Sequence, residues 1–301
     1  MLLHLPEQRA RVRQDFQQES STGFINDTEI DRWLNEGYYK YSVRLMLAAQ
    51  GFFETTAGLD ITNGQEAIAL PYNFLSDHSL QKMVRVERVL PTLRVPLKYR
   101  KRFDESNPTS GVAGGQSYLP TYDFRGNNLI LEPTPAFTEA NASQTAGLRI
   151  VYAALPPKLI SGYPQAIGAS TITLDSTADP RDDYYVGSKI YIVSGTGAGQ
   201  IRTITGYVGS TQVATVDSAW TVSPLTSSVY STLIHDDFPE SFHELLPLYA
   251  VKMAFNKERS FGSSRAYDAS ALKEKEKEFV DFTANKTIAR QFVQPFHPEL
   301  S

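Results

Sequence analysis

The chain has 301 residues, 41% hydrophobic and 21% charged, with a formal net charge of -4, a pI near 5.8 and no cysteine. That length and balance predict a folded protein of more than one domain. The missing thiols exclude disulfides, thiolate catalysis and Cys-ligated metal sites. Mild acidity argues against gripping nucleic acid by bulk charge, but not against surrounding it.

The opening Met1-Leu2-Leu3-His4-Leu5-Pro6-Glu7 has too short an apolar run for a signal peptide, and no stretch approaches the length of a membrane span. The expectation is a soluble protein. A first helix is predicted from Pro6 to about Ser20, with Val12 and Phe16 on one face of a polar surround, so it docks by a narrow seam. A second starts at Asn26, with Glu29 three residues on as in a capping box. Ile30, Trp33, Leu34, Tyr38, Tyr41 and Leu45 fall on one face, and the helix ends near Ala49 before Gly51.

From Gln65 to Pro156 the period changes to two. Strands are predicted at Glu66–Leu70, Met83–Leu90, Arg94–Leu97 (an edge, because of Pro96), Asn127–Pro133 and Leu148–Tyr152, with a Gly/Ser/Pro-rich loop over Ser106–Gln116. From Ile160 to Leu233 charge thins, and four short strands recur near Thr171–Leu174, Ser188–Val193, Gln200–Ile204 and Gln212–Val216, a small barrel or sandwich. A third long helix is predicted from an Asp237 cap with Pro239 in its first turn. Phe242, Leu245, Leu246, Tyr249, Met253 and Ala254 form its stripe, to about Glu258. A last helix covers Arg265 to Asn285, with the Lys273–Glu278 run of alternating charge as a solvated face. Beyond it Pro295 and Pro298 break the pattern, which reads as an extended arm.

The fold class expected is therefore α+β. A helical bundle from both chain ends (1–64 and 234–285) carries a small antiparallel β region (65–159), an inserted all-β barrel or sandwich module (160–233) and a C-terminal arm (286–301). Insertion is cheap where the host's ends lie close at the surface.

Motifs for chemistry are weak. Gly195-Thr196-Gly197-Ala198-Gly199 lacks the lysine and following helix of a phosphate loop and reads as a hairpin turn. His243-Glu244 would open a zinc-protease helix, but Pro247 holds the place of the second histidine. His235 with Asp236 and Asp237 could bind a metal or simply cap a helix. Asp175, Asp179, Asp182 and Asp183 could hold calcium or line a solvated turn. No Gly-x-Ser-x-Gly elbow occurs. No catalytic, cofactor or metal residue is assigned. The basic cluster Lys98, Arg100, Lys101 and Arg102 around Tyr99 suits either DNA or an acidic partner.

The two helix openings, Phe24–Tyr38 and Asp237–Ala250, flank a β-patterned middle in which Asp123-Phe124-Arg125-Gly126-Asn127-Asn128-Leu129, Pro133-Thr134-Pro135 and Arg149-Ile150-Val151-Tyr152 stand out. This arrangement resembles the head-to-tail adaptor (connector or neck) proteins of tailed bacteriophages. The stretch from Asp182 to Trp220 also resembles a β module that recurs in phage virion proteins. The resemblance implies a non-enzymatic virion protein, assembled in the host cytoplasm. It implies a ring, usually twelvefold, between the portal and the next tail component, through which DNA passes. It also implies an arm that docks onto the portal, here through Ile288, Phe292, Val293 and Phe296. Two rival classes stay open: a fibre-attachment or carbohydrate-binding protein, with Trp220 or Tyr184 stacking on sugar, and a polysaccharide hydrolase with convergent carboxylates.

Overall fold

The computed structural model describes residues 4–17, 23–48, 51–62, 64–65, 67–74, 83–89, 94–99, 121–132, 143–260 and 268–291. Its contacts define two compact units, one of Met1–Leu45 with Pro156–Ser301 and one of Met46–Leu155.

The first unit opens with α1 (Leu5–Phe16). Nδ1 of His4 accepts from the Glu7 amide, and Pro6 sits in the first turn. Gln17, left-handed at φ 60°, stops the helix short of Ser20 by turning its N–H onto the Arg13 and Gln14 carbonyls. Leu5, Gln8, Val12 and Phe16 are buried, the narrow seam expected. Next comes α2 (Asp27–Ala48), and its capping box forms: Asn26 Oδ1 accepts from the Glu29 amide at 2.9 Å and Glu29 Oε2 from the Asn26 amide at 3.3 Å.

The second unit holds β1 (Glu54–Thr62), β2 (Ala67–Ala69), β3 (Met83–Val89), β4 (Arg94–Pro96), β5 (Lys98–Tyr99), β6 (Thr121–Arg125), β7 (Asn128–Glu132) and β8 (Ser143–Ala153). They form two four-stranded sheets, β1-β8-β3-β4 and β2-β7-β6-β5, antiparallel except for the parallel β5–β6 pair. Both sheets feed one core that includes Ile61, Ile68, Val86, Tyr122, Leu129 and Ile150. Gly126, at φ 60°, opens the two-residue turn between β6 and β7, a position that favours glycine. The strand β1 was not expected from the pattern, because its exposed residues give only a weak alternation.

Back in the first unit run β9 (Ser161–Gly162), β10 (Ala166–Ile167), β11 (Thr171–Thr173), β12 (Lys189–Ser194), β13 (Ile201–Val208), β14 (Val213–Val216) and β15 (Val229–Thr232). They make one antiparallel sheet in the order β10-β11-β14-β13-β12-β15-β9. The four strands anticipated from the sequence are its centre, and the expected barrel does not close. The outer strands β9 and β10 are joined by only Tyr163, Pro164 and Gln165, a link of at most about 14 Å. The sheet therefore curls until its margins approach, without a hydrogen-bonded seam between them. Ile172, Leu174, Ile190, Ile192, Ile204 and Tyr230 fill its interior.

The helix expected from Asp237 begins later. The Asp237 and Phe238 amides both bond back to His235, which makes a turn. A single 3-10 turn follows at Glu240–Phe242, and then α3 (Leu245–Ser260). Pro247, with no N–H to lose, sits in its first turn. Last is α4 (Ser270–Gln291). Its backbone stays helical six residues past the expected end at Asn285, so residues 286–291 are not extended. Among the described residues the molecule is thus mixed α and β, with four helices and antiparallel sheets.

Candidate functional site

Within the first unit, α2 holds both stems of the seven-stranded sheet. Asn35 lies at the edge of the helix's apolar face, where its amide mimics a strand neighbour. Its Oδ1 accepts from the Leu159 amide at 2.7 Å, and its Nδ2 donates to the Leu159 carbonyl at 3.0 Å. One turn on, the Tyr38 hydroxyl accepts from the His235 amide at 3.0 Å. Leu159 leads into the sheet and His235 follows its last strand, so one helix face fixes entry and exit. Burial pushes the Tyr38 phenol well above its ordinary pKa, so it stays a neutral hydroxyl. The start of α1 adds a third tie: the Leu5 amide donates to Ser231 Oγ at 3.2 Å, and the His4 ring stacks on Tyr191.

The helices are locked by charge as well as by apolar packing. Lys257 of α3 reaches both Glu29 oxygens, at 2.7 and 2.8 Å, and the Phe24 carbonyl at 2.9 Å. The hydrogen bond from Lys257 holds the Glu29 carboxyl below its usual range. Arg9 forks onto Asp31 and Arg13 pairs with Asp27, which ties α1 to α2. Burial nevertheless pushes the Asp31 carboxyl up. Tyr249 lies against Gly37, where an added Cβ would come within 3.1 Å of its ring. The alternating run on α4 is not simply solvated. Lys275 does pair with Glu278 at 2.8 Å, but Glu276 accepts from the buried Tyr41 hydroxyl and from Lys40, both at 2.8 Å. Leu272 and Phe279 are buried beside it, so α4 also seats by a narrow stripe.

Candidates for chemistry are engaged in turns. Asp175 accepts from the Thr177 amide, Asp179 from Arg181, Asp182 from the Gly209 amide and Asp183 from the Tyr207 amide. The hydroxyls of Tyr185 and Tyr207 bond the Asp179 backbone, and that of Tyr230 the Asp175 amide, so tyrosines pin this loop. His243 is buried, its Nε2 faces the Phe238 carbonyl at 3.2 Å, and desolvation lowers its pKa. Among the described residues no three His, Asp or Glu side chains are grouped to hold a metal.

The glycine loop after β12 is a hairpin turn. Cβ atoms at Gly195 and Gly197 would collide with Ser228 and Val222. Gln200 bonds the Gly197 and Val222 carbonyls and the Thr221 amide, while Ser228 bonds the Thr196 carbonyl. Each of the two expected sugar platforms has a guanidinium over its ring. Trp220 is 8% exposed under Arg202, and Arg181 lies 4.5 Å over the Tyr184 ring.

Lys98 contributes its backbone to β5, and Arg100, Lys101 and Arg102 fall outside the described residues. Ile288 lies in the backbone of α4, whereas Phe292, Val293 and Phe296 fall outside the described residues. The sequence reading missed Asn35, Glu276 and Lys257 as ties. Only Asn35 left a trace, as a polar residue bordering an apolar stripe.

Sheet and helices of the first unit are thus tied together through side chains that bond backbone and neighbouring helices. The SU10 adaptor protein family model matches residues 7–193, from α1 into β12 and well over half of the chain. The chain therefore belongs to the SU10 adaptor protein family, a phage head-to-tail adaptor family. A search of curated proteins found no match.

Proposed function

We propose that the protein forms a ring between portal and tail, extends the DNA conduit and serves as the platform for tail attachment, without catalysing a reaction. The family match over residues 7–193 carries this reading. The build of the first unit supports it, because a ring needs subunits whose elements keep fixed relative positions and present two unlike faces. Asn35, Tyr38 and Lys257 supply such fixation by tying sheet and helices to α2. The ring is twelvefold, DNA passes through it transiently, and the protein resides at the neck of the virion. Among the described residues no helix is long and apolar enough to cross a membrane.

The C-terminal arm docks onto the portal through Ile288, Phe292, Val293 and Phe296. The basic cluster Lys98, Arg100, Lys101 and Arg102 meets an acidic partner rather than DNA. The test is co-assembly with portal, imaged by electron microscopy, for the full chain and for a chain truncated after Asn285. Rings on portal from the full chain, with loss of binding but unchanged thermal stability on truncation, are expected. Full-length protein that leaves portal bare would reject the adaptor ring. Undiminished binding by the truncated chain would reject the arm.

A further inference from the structure

A groove crosses the first unit where α1 and α4 flank the first turn of α3. Its floor is Pro247 and Leu248, and Ala271 lines the α4 side. Four carboxylates, Asp15, Glu244, Glu274 and Glu278, stand around it against two cations, Arg11 and Lys275. Both cations are already engaged: Arg11 pairs with Asp15 at 3.0 Å and Lys275 with Glu278 at 2.8 Å. Glu244 and Glu274 are exposed, and among the described residues neither has an ion-pair partner. Bonding to Glu278 raises the Lys275 pKa, and the charges of Glu244 and Glu274 raise it further.

An apolar floor under surplus negative charge fits an extended segment that carries several cations and an apolar or aromatic anchor. The chain contains a stretch of that composition. Lys98, Arg100, Lys101 and Arg102 surround Tyr99, with no acid between Leu97 and Phe103. Tyr99 is 54% exposed. The residues past Gln291 are a poorer match, since their only charged side chain at neutral pH is Glu299.

We propose that this groove receives the basic segment 98–102 of a second copy of the chain. Groove and segment are unlike surfaces, so each copy can give one and receive the other, the heterologous kind of contact from which rings are built when the rotation between copies closes. The proposal rests on the ring reading above, but its chemistry can be examined without a ring.

The test uses a fluorescein-labelled peptide of residues 94–103 titrated into the full chain and followed by anisotropy. Saturable binding is expected, weakened at least tenfold between 50 and 500 mM salt, as screening of a multi-charge contact demands. The variant Glu244→Lys/Glu274→Lys, whose changes are on exposed positions, is expected to bind at least tenfold more weakly with an unchanged melting temperature. A peptide with Arg100→Glu/Lys101→Glu should then prefer that variant to the unaltered chain. No binding, binding equal in the groove variant, or equal binding of a scrambled basic peptide would each overturn the proposal. Groove-dependent peptide binding by a chain that forms no ring on portal would instead refute the ring and leave the groove's preference standing.

Discussion

At the scale of single residues, Asn35 has the sharpest test. Replacing it by alanine strips both the N–H and the C=O of Leu159 of their partner. Leaving partly buried backbone groups unmatched costs about 1–3 kcal/mol. Urea unfolding of Asn35→Ala should show that loss. A loss within error would mean that Leu159 finds other partners and that α2 does not hold the entry stem. The Glu29–Lys257 pair makes a prediction about pH. The Glu29 carboxyl is held below its unfolded value by Lys257. Its contribution is therefore complete above the unfolded pKa of about 4.3 and fades as pH falls through the folded value. Asp31 shifts the other way, since burial raises it, so its effect partly offsets that of Glu29. Comparison with Lys257→Met isolates the pair. The stability difference between the two proteins should be constant from pH 7 to about 5 and should shrink below pH 4. A difference that holds at pH 3 would show that Lys257 acts through the Phe24 carbonyl and packing rather than through Glu29.

At the scale of elements, the α2 stripe read from the sequence is the observed core face. Trp33 and Leu34 are 2% and 0% exposed, and Leu245 of α3 is also fully buried. Trp33→Ala should cost about 3–5 kcal/mol, as removal of a large buried side chain does. A measured loss under 1 kcal/mol would place Trp33 outside the core. Helix existence was legible because caps and a period near 3.6 are local properties, as Asn26 and Glu29 show. Helix ends were less so. Gln17 takes a left-handed turn that its side chain does not announce, and Asp237 resembles a cap yet turns back onto His235. The strands β9, β10 and β15 were invisible for another reason: they are two to four residues long, and only their neighbours make them strands. The ties from Tyr41 and Lys40 to Glu276 span more than 230 positions, which no local pattern encodes.

At the scale of the whole molecule, the stretch 160–233 was expected as an inserted module, and its autonomy is open to direct test. It has its own apolar interior, and it meets the start of α1 through the Ser231 hydroxyl, the Leu233 backbone and the Tyr191 ring. Replacing 160–233 with a Gly/Ser linker should leave a helical circular dichroism signal with a lower melting temperature, because Leu5 loses the Ser231 hydroxyl. Loss of the helical signal would show that sheet and helices fold only together. The short outer strands of this sheet have a further consequence. β9 and β10 are two residues each, and the link between them contains Pro164, which has no amide hydrogen to offer. Long bare strand margins act as templates on which other chains stack into fibres, and brief ones do not. Many copies made together in one infected cell can therefore stay crowded without zipping along these margins into aggregates.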